Sequence, residues 1–341
     1  MPDLPETLRD EAELDDLLSR PSPALVEYAA GLEGDVLVLG AGGKIGPTLV
    51  RMARRALAEA GAPGEVVAVA RRPLPALAAE GVCTVECDLL DPDAVARLPR
   101  APDVVFMAGR KFGSTGDEPA TWAANVLVPY HVARTFTDAR VAVFSTGCVY
   151  PLMPAASGGA TEETPPDPVG EYAMSCLGRE RVFDYASAAW GDRVVHLRLN
   201  YAVELRYGVL VDVARRVLAR QAVDLATAHV NVIWQGDACD WALRSLGLAA
   251  SPPAVLNLTG PETLSVREIA ETFGRLLDVP VRFTGSDTGR AYLSDASRAV
   301  ERFGPPRVSV DRILRWTADW LRRGGRTLGK PTHFEVQDGR F

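Results

Sequence analysis

Residues 35–46, Asp-Val-Leu-Val-Leu-Gly-Ala-Gly-Gly-Lys-Ile-Gly, constrain this chain more than any other stretch. A short apolar run ends in a loop with glycines at 40, 43 and 46, and a helical pattern follows with Leu49, Val50, Ala53 and Leu57 on one face. A bound dinucleotide requires this order. The strand delivers the loop, Gly40 permits the turn, Gly43 lets backbone approach phosphate, and Gly46 lets the helix pack on the strand. The helix N-terminus then offers N–H groups and a positive dipole end to the diphosphate. A glycine triplet alone also fits a tight turn; the strand before it and the helix after it favour the cofactor site.

The rest of the chain repeats the alternation. Buried-strand patterns occupy 66–70, 82–87, 104–108, 140–146 and 194–199, with helical patterns at 74–80, 121–134 and 171–190 between them. This spacing predicts right-handed crossovers and an α/β fold, a doubly wound parallel Rossmann sheet with a smaller C-terminal α/β substrate-binding portion. The expected division is an N-terminal helical extension over 1–33 and a dinucleotide-binding domain over 34–200. Later strands near 230–258 return to that domain, and a substrate-binding portion with tail takes 201–229 and 259–341. The later strands are expected at 230–234, 254–258 and 281–283. Ser265 with Glu268 three residues on reads as a capping box opening a helix to Leu277, and 309–323 reads as the final helix. The tail from Gly329, with Phe334, Val336 and Phe341, is expected to dock.

Composition narrows the function. A net charge of −7 gives no support for nucleic-acid or anionic-membrane binding. No stretch approaches the roughly 20 apolar residues of a spanning helix, and the acidic, proline-rich start is unlike a signal peptide. The five cysteines, at 83, 87, 148, 176 and 239, are scattered and suggest neither zinc nor a disulfide framework. A cytoplasmic protein with reduced thiols and no metal is expected.

Several motifs in order resemble the extended short-chain dehydrogenase/reductase superfamily, in its NAD-dependent epimerase/dehydratase branch, over roughly residues 34 to 320. Gly40-x-x-Gly43-x-x-Gly46, with Lys44 and Ile45 in the loop, matches that branch's cofactor loop, and Asp88-Leu89 its adenine-contacting pair. Ala108-Gly109-x-Lys111 resembles the loop after the fourth strand, Asn125 a structural asparagine, and the run over 145–150 a Ser-Thr-x-x-Val-Tyr motif. Glu163, Pro168, Tyr172 and Glu180 fall at family positions. The resemblance implies Tyr172 as the acid/base, Thr146 as the hydroxyl on the reacting oxygen, and a homodimer paired through helices 121–134 and 171–190.

Where the family has lysine, four residues after the tyrosine, this chain has Cys176. A neutral thiol cannot stabilise a phenolate as an ammonium does. Three readings stand open: another cation substitutes, with Lys111 the first candidate; Tyr172 stays protonated and acts as a donor; or cofactor is bound without turnover. Cofactor choice turns on Arg71 and Arg72 at the second strand's end, where NAD sites usually place an acid; guanidiniums there favour NADP and leave NAD possible. Family anchors for a nucleotide diphosphate are also missing: Tyr201 stands where an Asn is expected, with Asn200 one place early, and Val230 where an Arg is expected. The absent anchors argue against a nucleotide sugar. The expected function is an NAD(P)-dependent oxidoreductase or isomerase acting on a smaller carbohydrate-like alcohol or ketone. The alternatives are a degenerate cofactor-binding regulatory protein and a lyase or epimerase that oxidises its substrate transiently. Candidate substrate-lining residues are Arg110, Lys111, Asn200, Arg206, Trp234, Gln235 and His333.

Overall fold

The computed structural model describes residues 4–111, 113–330 and 332–340. Its centre is a parallel seven-stranded sheet: β1 (Val36–Leu39), β2 (Val66–Ala70), β3 (Cys83–Glu86), β4 (Asp103–Phe106), β5 (Arg140–Thr146), β6 (Arg193–Leu199) and β7 (Ala254–Leu258). The order across the sheet is β3-β2-β1-β4-β5-β6-β7. Register aligns the C-terminal ends, with Leu39 opposite both Val69 and Phe106, and Thr146 opposite Leu199. The order reverses direction beside β1, between β1 and β4, so the loops after these strands diverge and leave a crevice, the usual ligand position in open α/β sheets.

Both faces of the sheet are covered, and this explains why inner strands such as β1 and β4 are buried along their length rather than alternating. On one face the helices Pro23–Ala29, Gly46–Ala60 and Gln235–Arg244 pack over Val36, Val38, Ala68 and Val195. On the other, Val128–Thr135 and Gly170–Trp190 cover Leu37, Leu39, Val104 and Phe106. The expected helix over 121–134 is composite: Glu118–Trp122, a π-helical turn Ala123–Leu127, then Val128–Thr135. Such turns often sit at functional sites; this one contains Asn125.

The C-terminal portion has its own core, built from the helices Val209–Leu218, Val266–Leu277 and Val310–Arg322 around Trp234 and Trp316. Only one of the later strand regions near 230–258 enters the sheet, as β7. The expected strand over 230–234 is divided: His229–Val230 pairs with Leu264–Ser265, and Ile233–Trp234 with Ala202–Val203. Asn231 lies between the two pieces, its side chain donating to the Glu262 carbonyl and accepting from Ser294 N–H, contacts a continuous strand would not allow. The Ser265 hydroxyl accepts from the Glu268 amide, as a cap at this helix start.

The chain's two ends clasp this portion. Arg206 pairs with Asp15 at 2.8 Å, with Glu11 at 3.2 Å and with Glu204 at 3.1 Å, tying the helix Glu11–Leu18 to the loop before Val209. The tail returns across the same region: Leu328 N–H donates to the Arg206 carbonyl, Thr332 donates twice to Asp212, and Phe334 is buried. Phe341 lies outside the described residues. Replacing Arg206 by Met leaves Glu204, 4 % exposed, without its guanidinium partner and with only the residue 206 N–H still donating to it. That situation costs about 3–5 kcal/mol. Denaturant unfolding of Arg206→Met is expected to show a loss of this order, with amide exchange accelerated first in residues 11–18.

Candidate active site

The loops after β1, β4, β5 and β6 enclose a cleft of about 460 Å³ between the sheet and the C-terminal portion. Its cofactor side is the glycine loop. Gly40 has φ +92°, and a Cβ there would lie 2.6 Å from Ala108 N, so only glycine makes the turn. At Gly46 a Cβ would meet the Ala41 carbonyl at 2.1 Å, which lets the helix Gly46–Ala60 start against the strand end. A Cβ at Gly43 would meet only the Gly40 carbonyl, at 3.6 Å, so its cleft side is open. No side chain caps the first amides of that helix. An open backbone face beside uncapped helical N–H groups fits a diphosphate.

The loop after β4 is held by one side chain. The Asn125 amide accepts from Arg110 N–H at 2.8 Å and donates to the Arg110 carbonyl at 3.0 Å. It also donates to the Ser175 hydroxyl and accepts from Arg179. Asn125 is fully buried with its bonding capacity used, so it positions the loop that carries Lys111 and does not reach the cleft.

Thr146 ends β5, buried, and its hydroxyl accepts from Cys148 N–H. Tyr172, in the first turn of the helix Gly170–Trp190, hydrogen-bonds with Thr146. Burial pushes the phenol well above its usual pKa, with Cys176 and Cys148 adding to the rise and Arg179 and Thr146 opposing it. Lys111 reaches over the Tyr172 ring from the opposite wall, its Nζ 5.6 Å from the centroid, and burial lowers its pKa. Cys176 is fully buried and its thiol is pushed up by burial, which suits packing and not nucleophilic chemistry.

Arg179 was not a sequence candidate and is the main addition. Seven residues beyond Tyr172 and three beyond Cys176, it shares their helix face. Its guanidinium donates to the Phe144 carbonyl at 2.6 Å and to Asn125 at 2.7 Å, leaving Nε buried without a hydrogen-bond partner. A Cβ at Gly109 would lie 2.4 Å from this guanidinium, so Gly109 makes room for it. The pattern Tyr-x-x-x-Cys-x-x-Arg was the available signal: a cation one turn beyond the missing lysine. Tyr201, noted in the sequence only as a departure from the family's Asn, lines the cleft; it has φ +39°, a strained conformation for tyrosine, and a phenol pushed up by burial beside Cys148, Tyr292 and Tyr207.

Beneath the site runs a buried polar chain. Ser145 donates to Glu180 at 2.5 Å, Arg198 holds both Glu180 oxygens at 2.7 and 3.1 Å, and the Arg198 guanidinium lies over the Tyr150 ring. The Tyr150 hydroxyl donates to Asn257 on β7. Burial opposes ionisation of Glu180, yet Arg198 and Ser145 hold it below the usual carboxylate range. This fixes the end of β5, and with it Thr146, against the tyrosine helix.

Other sequence candidates divide. Gly40, Gly43, Lys44, Ile45, Gly46, Gly109, Arg110, Lys111, Asn200 and Gln235 all line the cleft. Asn200 donates to the Tyr292 carbonyl and Gln235 to Thr48, so both are partly committed. Two substrate candidates are corrected. Arg206 is engaged by Glu11, Asp15 and Glu204, and Trp234 is 1 % exposed against Trp316, so neither faces a ligand. His333, at φ +54° in the tail, is outside the cleft lining. Arg71 and Arg72 are exposed just beyond β2; Asp88 accepts from Leu90 N–H, and Leu89 is buried in the core. These four, with Ala108, lie outside the cavity that holds Tyr172.

A doubly wound sheet with a glycine loop after β1 and a threonine–tyrosine pair across the crevice defines an extended short-chain dehydrogenase/reductase. Residues 36–239 match the profile of the NAD dependent epimerase/dehydratase family, more than half of the chain, and the chain belongs to that family. Among solved structures it is 25% identical to MoeE5 in complex with UDP-glucose and NAD, over 85% of this chain and 99% of that one, with TM-score 0.67. The UDP-glucose 4-epimerase of Thermotoga maritima with UDP-glucose is 17% identical over the same shares, with TM-score 0.69. The UDP-glucose 4-epimerase of Thermus thermophilus in complex with NAD is 22% identical over 85% and 99%, with TM-score 0.67. Curated proteins gave no match.

Lys44 yields a pH prediction. Its Nζ lies 3.5 Å from the Tyr207 ring centroid. Burial first, then the charges of Lys111 and Lys330, lower its pKa to about 7, with Asp212 opposing. Its ammonium is therefore expected to lose its proton near pH 7, against 10.5 for an ordinary lysine. Side-chain NMR of lysine-labelled protein measures this directly, and removal of Lys330 charge by Lys330→Gln should move the midpoint upward.

Proposed function

We propose that this protein is an NAD(P)-dependent oxidoreductase or isomerase of the epimerase/dehydratase type, acting on a carbohydrate-like alcohol or ketone. The observation that carries the reading is the meeting of Tyr172 and Thr146 across the cleft from the glycine loop. A nicotinamide cofactor would supply the hydride acceptor or donor when bound on that loop. Gly43 and the first amides of the helix Gly46–Ala60 would hold its diphosphate. Arg71 and Arg72, exposed with no acid between or before them in β2, favour NADP over NAD.

The chain's own residues manage the proton. With its pKa raised, Tyr172 is protonated at neutral pH and enters as the acid, giving its proton to the substrate oxygen when a ketone is reduced. Thr146 orients that oxygen by hydrogen bond. The phenolate left behind is stabilised by the positive charge of Arg179, with Lys111 beside the ring, rather than by a lysine at 176. In the reverse direction the phenolate takes the proton back. Asn200 and Gln235 are bonded within the protein and Arg206 is committed to the N-terminal helix, so none of these three serves as a diphosphate anchor, which favours a smaller substrate.

Tyr172→Phe is expected to lower turnover of any substrate by about 100-fold or more, the usual scale of general-acid removal, with cofactor affinity kept within about twofold. Arg179→Met should lower kcat and shift the pH profile of kcat upward. A broad panel of sugars and sugar alcohols giving no turnover, with cofactor binding intact, would leave the non-catalytic reading instead.

A homodimer fits the surface. Trp122, Leu127, Tyr130, Val169, Met174, Tyr185 and Trp190 are exposed, and all lie on or next to the segments Glu118–Thr135 and Gly170–Trp190. Two helices with such a face bury it well against a copy of themselves. Light scattering should give twice the chain mass, and Leu127→Glu with Tyr185→Glu should give the monomer.

A further inference from the structure

All but three of the chain's 37 basic residues are arginines, and the three lysines, Lys44, Lys111 and Lys330, all line this one cleft. They come from three separate parts of the sequence: the glycine loop, the loop after β4 and the C-terminal tail. With Arg179, and with Arg110 whose charge is met by Asp117 at 2.7 Å, they make five basic side chains in the wall, and among the described residues no carboxylate lines it, in a protein of net charge −7. Lysine and arginine are not equivalent here. An ammonium is a compact charge with three rotatable donors and can meet a small oxyanion from several directions, where a planar guanidinium needs a bidentate approach.

Lys330 is held in place. Leu328 N–H donates to the Arg206 carbonyl at 2.9 Å, and Thr332 donates to Asp212 at 2.7 Å from its amide and 2.6 Å from its hydroxyl. Lys330 is therefore anchored two residues away on either side. Further on, Gln337 donates to the Ala226 and Arg290 carbonyls, and the tail reaches the tyrosine helix at Gly170, where a Cβ would lie 2.5 Å from the Gly339 carbonyl. The strap thus crosses from the C-terminal portion to the start of the helix carrying Tyr172, with Lys330 facing the cleft.

A cofactor diphosphate does not account for this charge. Lys44 belongs to the cofactor loop, but its ammonium stands over Tyr207 on the opposite wall. Lys111 is at the Tyr172 ring, and Lys330 is on the strap. The three lysines line one cleft, and the charges of Lys111 and Lys330 already weigh on Lys44, with Asp212 opposing; a small anion bound among them would relieve that repulsion.

We propose that the substrate is an anionic polyol, a sugar acid or sugar phosphate, whose carboxylate or phosphate is held by Lys44, Lys111 and Lys330, with the C-terminal strap supplying the third ligand. This rests on the oxidoreductase reading above and names the substrate class for the same site. The small oxyanion lies beyond the reacting carbon and selects which end of the polyol meets Tyr172.

The three lysines make the test direct, because lysine-labelled protein gives three side-chain NMR signals, each assigned by a single Lys→Gln variant. Cofactor is added first to saturation, its binding read by nicotinamide fluorescence, and then D-glucuronate, D-glucose 6-phosphate, neutral D-glucose or inorganic phosphate is titrated. The expected result is that one or both sugar anions move the Lys111 and Lys330 signals further, that glucose does not, and that Lys330→Gln weakens sugar-anion affinity by about tenfold with cofactor affinity unchanged. Signals that saturate on cofactor alone and ignore both sugar anions would overturn the proposal while leaving the oxidoreductase reading intact. Inorganic phosphate acting as strongly as the sugar anions would also overturn it, reducing the cluster to a trap for any anion. Absence of cofactor binding would instead remove the oxidoreductase reading on which it rests.

Discussion

Parallel pairing of seven strands in common register is the constraint on which the rest of this structure depends. Because every strand runs the same way, the loops after β1, β4, β5 and β6 all emerge at one edge. The glycine loop, the Lys111 loop, Thr146 and Asn200 meet there although up to 160 residues of chain separate them. The sheet supplies the rigid frame; side chains such as Asn125 and Glu180 then fix individual loops to it. Asn125 bonds both backbone groups of Arg110, and Glu180 joins Ser145 to Arg198.

Charge is redistributed around an unchanged tyrosine. Cys176 packs in the apolar cluster with Val149, Tyr150 and Ala160, so the helix face below Tyr172 is drier than an ammonium would leave it. Positive charge returns from two directions, Arg179 one turn further along the helix and Lys111 from the facing loop. A fixed guanidinium cannot give up its proton at working pH, whereas a buried lysine can.

Much of the fold was legible in the sequence because its signals are local. Strand runs of the right length, the Gly40–Gly46 loop and the helical face after it depend on neighbours within a few residues. The divided strand at 230–234 was not legible, since its break at Asn231 is made by Glu262 and Ser294, distant in sequence. Within the site, Tyr172, Thr146 and Lys111 could be singled out by motif. Arg206 and Trp234 carried the right chemistry for ligand contact but were claimed elsewhere, by the acidic N-terminal helix and by Trp316. Lys330 gave no local sign, lying in a tail whose path only long-range hydrogen bonds define.

The sequence by itself determined the parallel α/β architecture, the cofactor loop and the missing lysine at 176, because periodicity, glycine placement and motif spacing are properties of the chain read in order. Only the tertiary structure decided which cations face the cleft and which serve as struts. Arginine and lysine look alike in a list of charges, but whether each one meets solvent, a carboxylate or an open cavity depends on residues brought beside it by folding. The glycine loop could be read from neighbouring residues; that three lysines from distant parts of the chain line the same cleft could be seen only in the folded molecule.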